Sequence, residues 1–104
     1  MPDKIYTFDE IKQIVVPIAA RYDVDRVFLI GSYARGEANA ASDLDFVIDK
    51  GRLEGLRFLS MLGDLTEDFG KEVDLITSHS LLQGDDHMMF RQDVVKEGVL
   101  VYEQ

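Results

Sequence analysis

The chain has no cysteine, which excludes disulfides and thiolate metal sites. It has no apolar run long enough to span a bilayer, and Met1-Pro2-Asp3-Lys4 carries neither a basic n-region nor an apolar h-region. Neither a transmembrane helix nor a signal peptide is therefore expected, and a cytoplasmic location fits. Basic residues are also scarce: 11 Lys and Arg stand against 20 Asp and Glu, a formal net charge of −9, with no Lys/Arg cluster. Binding a polynucleotide needs a basic face that displaces counterions, so direct nucleic-acid binding is not expected, whereas a basic protein partner would be steered toward the chain. Solubility alone is an equally good reason for the acidity. Its 104 residues leave room for one core and no second substrate-binding domain. No repeat, low-complexity segment or linker divides residues 1–104.

What is present is a regular succession of short elements. Thr7-Phe8-Asp9-Glu10 has the form of a capping box, and Phe8, Ile11, Ile14, Val15, Ile18, Ala19 and Tyr22 follow at helical spacing. Pro17 inside that pattern should kink the helix or remove a hydrogen bond near Gln13. Val27 to Ile30 reads as a buried strand stopping at Gly31, and Asp43 to Ile48 as an alternating strand closed by the turn Asp49-Lys50-Gly51. Leu53, Leu56, Phe58, Leu59, Leu62, Leu65 and Phe69 suggest a helix ended by Gly70. Glu72 to Ile76 is strand-like; Met88, Met89, Phe90, Val94 and Val95 suggest a helix ended by Gly98, and Val99 to Tyr102 a last short strand. Strand and helix do not alternate strictly, so the expectation is an α+β fold, a small mixed sheet with helices packed mainly on one face.

The chemistry concentrates around Gly31-Ser32 and Asp43-Leu44-Asp45. A glycine at the strand end lets the backbone approach a ligand closely, Ser32 supplies a hydroxyl, and Ser32 to Arg35 can form a first helical turn whose free amides suit phosphate. Asp43 and Asp45 alternate onto one face, roughly 7 Å apart along a strand and within reach of a metal pair about 4 Å apart. Asp74, projecting opposite to Val73 and Leu75, would join them if its strand lay alongside. Three such anions would repel unless they held protons or bound Mg²⁺ or Mn²⁺; metal is the expectation. Aspartates at strand starts also serve as solvated or capping groups, and Gly-Ser is an ordinary turn. Strand propensity nevertheless disfavours aspartate, so two in one strand beside a third ask for a functional reason.

Gly31, Ser32, Asp43 and Asp45, in the spacing G-S-x(10)-D-x-D, with Asp74 on a later strand, resemble the polymerase-β-like nucleotidyltransferase superfamily. The likeness covers nearly the whole chain, since the helix before the motif and Lys96 to Glu103 also look like the superfamily's smallest members, the minimal nucleotidyltransferases or MNT proteins. Many of these are antitoxins paired with HEPN-domain ribonuclease toxins. The resemblance implies the nucleotidyltransferase fold and transfer of AMP from ATP to a tyrosine hydroxyl of the toxin. It implies that Gly31 and Ser32 hold the triphosphate, that Asp43 and Asp45 bind two Mg²⁺ ions, and that Asp74 binds the metal activating the acceptor hydroxyl or takes its proton. The expected partners are ATP and a HEPN toxin, as a hetero-oligomer. Arg35 is expected either to contact phosphate or an acidic partner surface, or to pair with Glu37. Tyr33 is either an exposed helix residue or packed near the nucleotide. His79 and His87 lack ligand-like spacing and read as structural or surface residues; Met88, Met89 and Phe90 read as core. The competing readings are a stoichiometric, non-catalytic antitoxin and nucleotidyl transfer to a small molecule such as an aminoglycoside, which so short a chain would struggle to enclose.

Overall fold

Thr7 opens helix α1 (Phe8–Tyr22) with the reciprocal pair its sequence predicts: the Glu10 N–H donates to Thr7 Oγ1 at 3.2 Å and the Thr7 N–H donates to Glu10 Oε1 at 2.9 Å. The computed structural model describes residues 4–49, 53, 55–77 and 98–104. The expected helix through Met88, Met89, Phe90, Val94 and Val95, both histidines and the Lys50-Gly51 turn lie outside the described residues. Helix α1 runs through Pro17 without ending. Both Pro17 and Gln13, whose carbonyl loses its helical donor, are exposed, so water can serve that carbonyl and the helix survives.

Strand β1 (Arg26–Ile30) is followed by the four-residue helix α2 (Gly31–Ala34), strand β2 (Leu44–Asp49), helix α3 (Leu56–Phe69), strand β3 (Val73–Thr77) and strand β4 (Val99–Glu103). The sheet order is β3-β2-β1-β4, with β1 antiparallel to both β2 and β4 and β2 parallel to β3. A parallel pair needs a crossover, and α3 supplies it. The mixed α+β sheet expected from the sequence is therefore the architecture observed.

Alternation decides which face is which. Val27 and Leu29 of β1 and Leu44, Phe46 and Ile48 of β2 are buried in one core with Ile11, Val15, Ile18 and Ala19 of α1 and Met61, Leu65 and Phe69 of α3. Both long helices thus cover a single face of the sheet. Phe69 binds this core to the strap before α1: its ring meets Tyr6 edge-on at 5.1 Å and Phe46 at 5.9 Å. The other face carries Phe28, Ile30, Asp45, Val47, Asp74 and Ile76, which occupy paired register positions. The phase of α3 differs from the expected apolar list: Leu56 and Leu59 are 80% and 59% exposed, while Met61 is buried. Leu56 lies nine positions before Leu65, half a turn out of phase with it, so the two cannot share a face. Among the described residues no helix is long and apolar enough to cross a membrane.

Candidate active site

The site begins where β1 stops. Ile30 is extended, and Gly31 turns the chain with φ +76° directly into α2. That conformation is one most side chains avoid, and a second constraint adds to it: a Cβ on Gly31 would stand 2.5 Å from Asp45 Oδ2. The sequence suggested that glycine here admits a ligand. The structure shows that it also admits the Asp45 carboxylate, packed against the first turn of α2. The turn is short, with the Arg35 N–H donating to the Gly31 carbonyl at 3.2 Å and the Glu37 N–H to the Ser32 carbonyl at 2.9 Å. As at any helix start, the first amides have no partner within α2.

The segment from Gly36 to Ser42 returns the chain to the sheet through a turn closed by Asn39 and Ser42. The Asn39 N–H donates to Ser42 Oγ at 2.9 Å, the Ser42 N–H to the Asn39 carbonyl at 3.0 Å, and the Ala41 N–H to Asn39 Oδ1 at 2.8 Å. Side-chain mimicry of a backbone turn fixes this exit. Asp43 follows, exposed and one residue ahead of β2; Asp45 lies within the strand and is partly buried. The parallel ladder pairs Leu44 with Val73 and Asp45 with Asp74, while the antiparallel ladder pairs Asp45 with Ile30. Neighbouring strands are about 4.8 Å apart, so Asp45 and Asp74 are cross-strand neighbours on one face.

This crowding raises the Asp45 pKa from 3.8 to about 6. Burial is the largest cause, followed by a side-chain hydrogen bond with Asp74, the charge of Asp74 and the charge of Asp43; Arg35 pulls the other way. The same crowding that favours a proton on Asp45 would favour a divalent cation beside it. Among the described residues no three carboxylate or imidazole groups are gathered tightly enough to hold a metal ion as they stand. The donor types still fit a hard divalent cation: Asp45 and Asp74 are paired carboxylates on neighbouring strands, Asp43 lies two residues before Asp45, and Gly31 has no side chain to crowd the Asp45 carboxylate. Asp43, Asp45 and Asp74 are the residues that would hold it.

Arg35 Nε donates to Glu37 Oε1 at 2.7 Å, both side chains being largely exposed, and the Arg35 charge is also felt at Asp45. Tyr33 is neither of its two expected alternatives alone: it packs, half-buried, against the core, and its hydroxyl accepts from the Tyr6 N–H at 3.4 Å and from Lys71 Nζ at 3.3 Å. Sequence reasoning passed over Lys71 and Tyr6. Neither belongs to a motif, and 38 positions separate Lys71 from Tyr33.

Residues 12–104 match the family model described as polymerase beta, nucleotidyltransferase. A Methanocaldococcus jannaschii chain named, provisionally, a protein adenylyltransferase is 35% identical over 92 residues, covering 88% of this chain and 94% of the relative. The protein adenylyltransferase MntA of Thermococcus cleftensis is 31% identical over 93 residues, covering 85% and 94%. The fold matches a toxin–antitoxin crystal structure with AMP-PNP at a TM-score of 0.71 and 19% identity, covering 89% of this chain and 73% of the other. It also matches the structure of a tri-AMPylated Shewanella oneidensis HEPN toxin in complex with an MNT antitoxin, with a TM-score of 0.67, 16% identity and coverage of 94% and 74%. The Gly-Ser turn and the acidic strands lie within the matched residues, and the chain belongs to the polymerase-β nucleotidyltransferase family, alongside its MntA-type protein adenylyltransferases.

Proposed function

We propose that this nucleotidyltransferase is an antitoxin that moves AMP from ATP to a tyrosine hydroxyl of a HEPN-domain ribonuclease toxin and so neutralises it. The observation that carries this reading is the pairing of Asp45 with Asp74 beside Gly31, which puts two carboxylates next to a phosphate-suited turn. Relatives of similar length named protein adenylyltransferases supply the reaction class, and the toxin complexes among the fold neighbours supply the class of acceptor.

The chain's residues divide the work by position. The Ser32 hydroxyl and the first-turn amides of α2 bind the phosphates, and Arg35, which pairs with Glu37 on the same turn, adds a charge-assisted contact to a phosphate oxygen. Asp43, Asp45 and Asp74 would hold two Mg²⁺ ions, with Mn²⁺ as a substitute; when bound, these neutralise the triphosphate and acidify the acceptor hydroxyl. Asp74, exposed at the sheet edge, accepts the tyrosine proton directly or through water. The tyrosine oxygen forms its bond to the α-phosphorus in line with the bond that breaks, and pyrophosphate leaves.

The test is mass spectrometry of a cognate HEPN partner after incubation with the chain, ATP and Mg²⁺. Whole AMP units should appear on the partner, and Asp43→Asn combined with Asp45→Asn should abolish them. Neutralisation should occur well below one antitoxin per toxin. An unmodified partner, or full neutralisation by the double variant at equal dose, would replace catalysis with stoichiometric binding.

A further inference from the structure

We infer that Lys71 is a positioning residue that locks the phosphate-binding turn and the following loop onto the sheet, and thereby sets affinity for the nucleotide. The inference rests on the nucleotidyl-transfer reading above. It starts from one ammonium group outside every motif. Lys71 lies between the end of α3 and the start of β3, and its Nζ donates to three oxygens on three different segments: Tyr33 Oη at 3.3 Å, the Ala40 carbonyl at 3.4 Å and the Lys4 carbonyl at 3.4 Å. It also stands 5.5 Å from the centre of the Tyr33 ring. An ammonium has three protons to donate, and these contacts use all of them.

The partners show what is being held. Tyr33 follows Ser32 in α2; Ala40 lies in the turn that delivers Asp43; Lys4 belongs to the strap that places Tyr6, whose N–H meets the same Tyr33 hydroxyl at 3.4 Å. A four-residue helix cannot hold its own conformation, because nucleation costs more than so few hydrogen bonds return. The carboxylate pair is in a different position. Asp45 and Asp74 are fixed by the β2–β3 backbone ladder, which also takes in the Leu44 N–H bonded to the Glu72 carbonyl at 3.2 Å. Loss of Lys71 should therefore loosen the phosphate-binding side of the site and leave the Asp45–Asp74 pair standing. That asymmetry separates positioning from general structural support.

Lys71→Met keeps the apolar stem and removes the tie. Its KM for ATP should rise about tenfold, with kcat at saturating ATP within about threefold of the parent. Lys71→Arg, which retains charge and donors, should recover most of the affinity. Tyr33→Phe should give a smaller rise, and combining it with Lys71→Met should add little, because both remove the same contact. Hydrogen exchange of the nucleotide-free protein judges Lys71 independently of transfer. Amides of residues 32–42 should exchange faster in Lys71→Met while β2 and β3 keep their protection. Unchanged exchange there, equal loosening of β2 and β3, or an unchanged KM in a variant of an active parent would overturn the inference. A parent that transfers no AMP would sink the transfer reading, and the exchange pattern would still decide whether Lys71 holds the turn.

Discussion

Replacing Gly31 by alanine tests whether the site depends on the close approach of α2 to Asp45, and Gly36 provides the control. Both glycines have positive φ, +76° and +73°, but a Cβ on Gly31 would meet Asp45 Oδ2 at 2.5 Å whereas one on Gly36 would meet nothing within 4 Å. Left-handed backbone costs a non-glycine residue roughly 1–2 kcal/mol, and a stiffer unfolded chain returns up to about 1 kcal/mol. Gly36→Ala should therefore lose about 1 kcal/mol, or roughly 4–8 °C in Tm for a domain of this size, with transfer activity intact. Gly31→Ala carries the same backbone cost plus a displacement. To reach ordinary contact at 3.4 Å, the Asp45 oxygen must retreat by 3.4 − 2.5 = 0.9 Å. A shift of about 1 Å in a reacting group costs on the order of a hundredfold in rate. The assay is AMP transfer measured beside thermal melting for both variants. Equal activity in the two, or a Gly31→Ala protein whose Mg²⁺ requirement matches the parent's, would refute the argument that this contact sets the carboxylate.

Two other consequences are accessible to melting experiments. The folded Asp45 carboxyl has its pKa raised to about 6, against 3.8 for an ordinary aspartate, so the folded state binds its proton more tightly than the unfolded chain does. That contribution is complete below about pH 4 and disappears as pH rises through about 6. In EDTA, the Tm of the parent relative to Asp45→Asn should fall across that window, and added Mg²⁺ should recover stability mainly above it; a difference independent of pH would contradict the raised pKa. The phase of α3 predicts that Met61→Ala destabilises by about 2–5 kcal/mol while Leu59→Ala changes stability by less than about 0.5 kcal/mol in denaturant titrations. Comparable losses at both positions would show that the helix is rotated.

Much of the fold was legible because its signals are local. The Thr7–Glu10 box, the end of α3 at Gly70 and the Gly31 turn each depend on residues a few positions apart. The apolar list for α3 erred at Leu56 and Leu59 because an apolar residue type does not state its helical phase; the partners on α1 and the sheet do. The ladder neighbour of Asp45 was only conditional in the sequence, since parallel pairing depends on where a crossover helix returns the chain.

The sequence by itself determined the residue types of the site, its family and the two short motifs that carry Gly31, Ser32, Asp43 and Asp45. Tertiary structure alone decided that Asp45 faces Asp74, that Gly31 makes room for Asp45, and that Lys71 joins Tyr33, Ala40 and Lys4. The physical reason is range. Caps, turns and periodicity act over a few residues, whereas register, burial and electrostatic crowding arise only when distant segments meet.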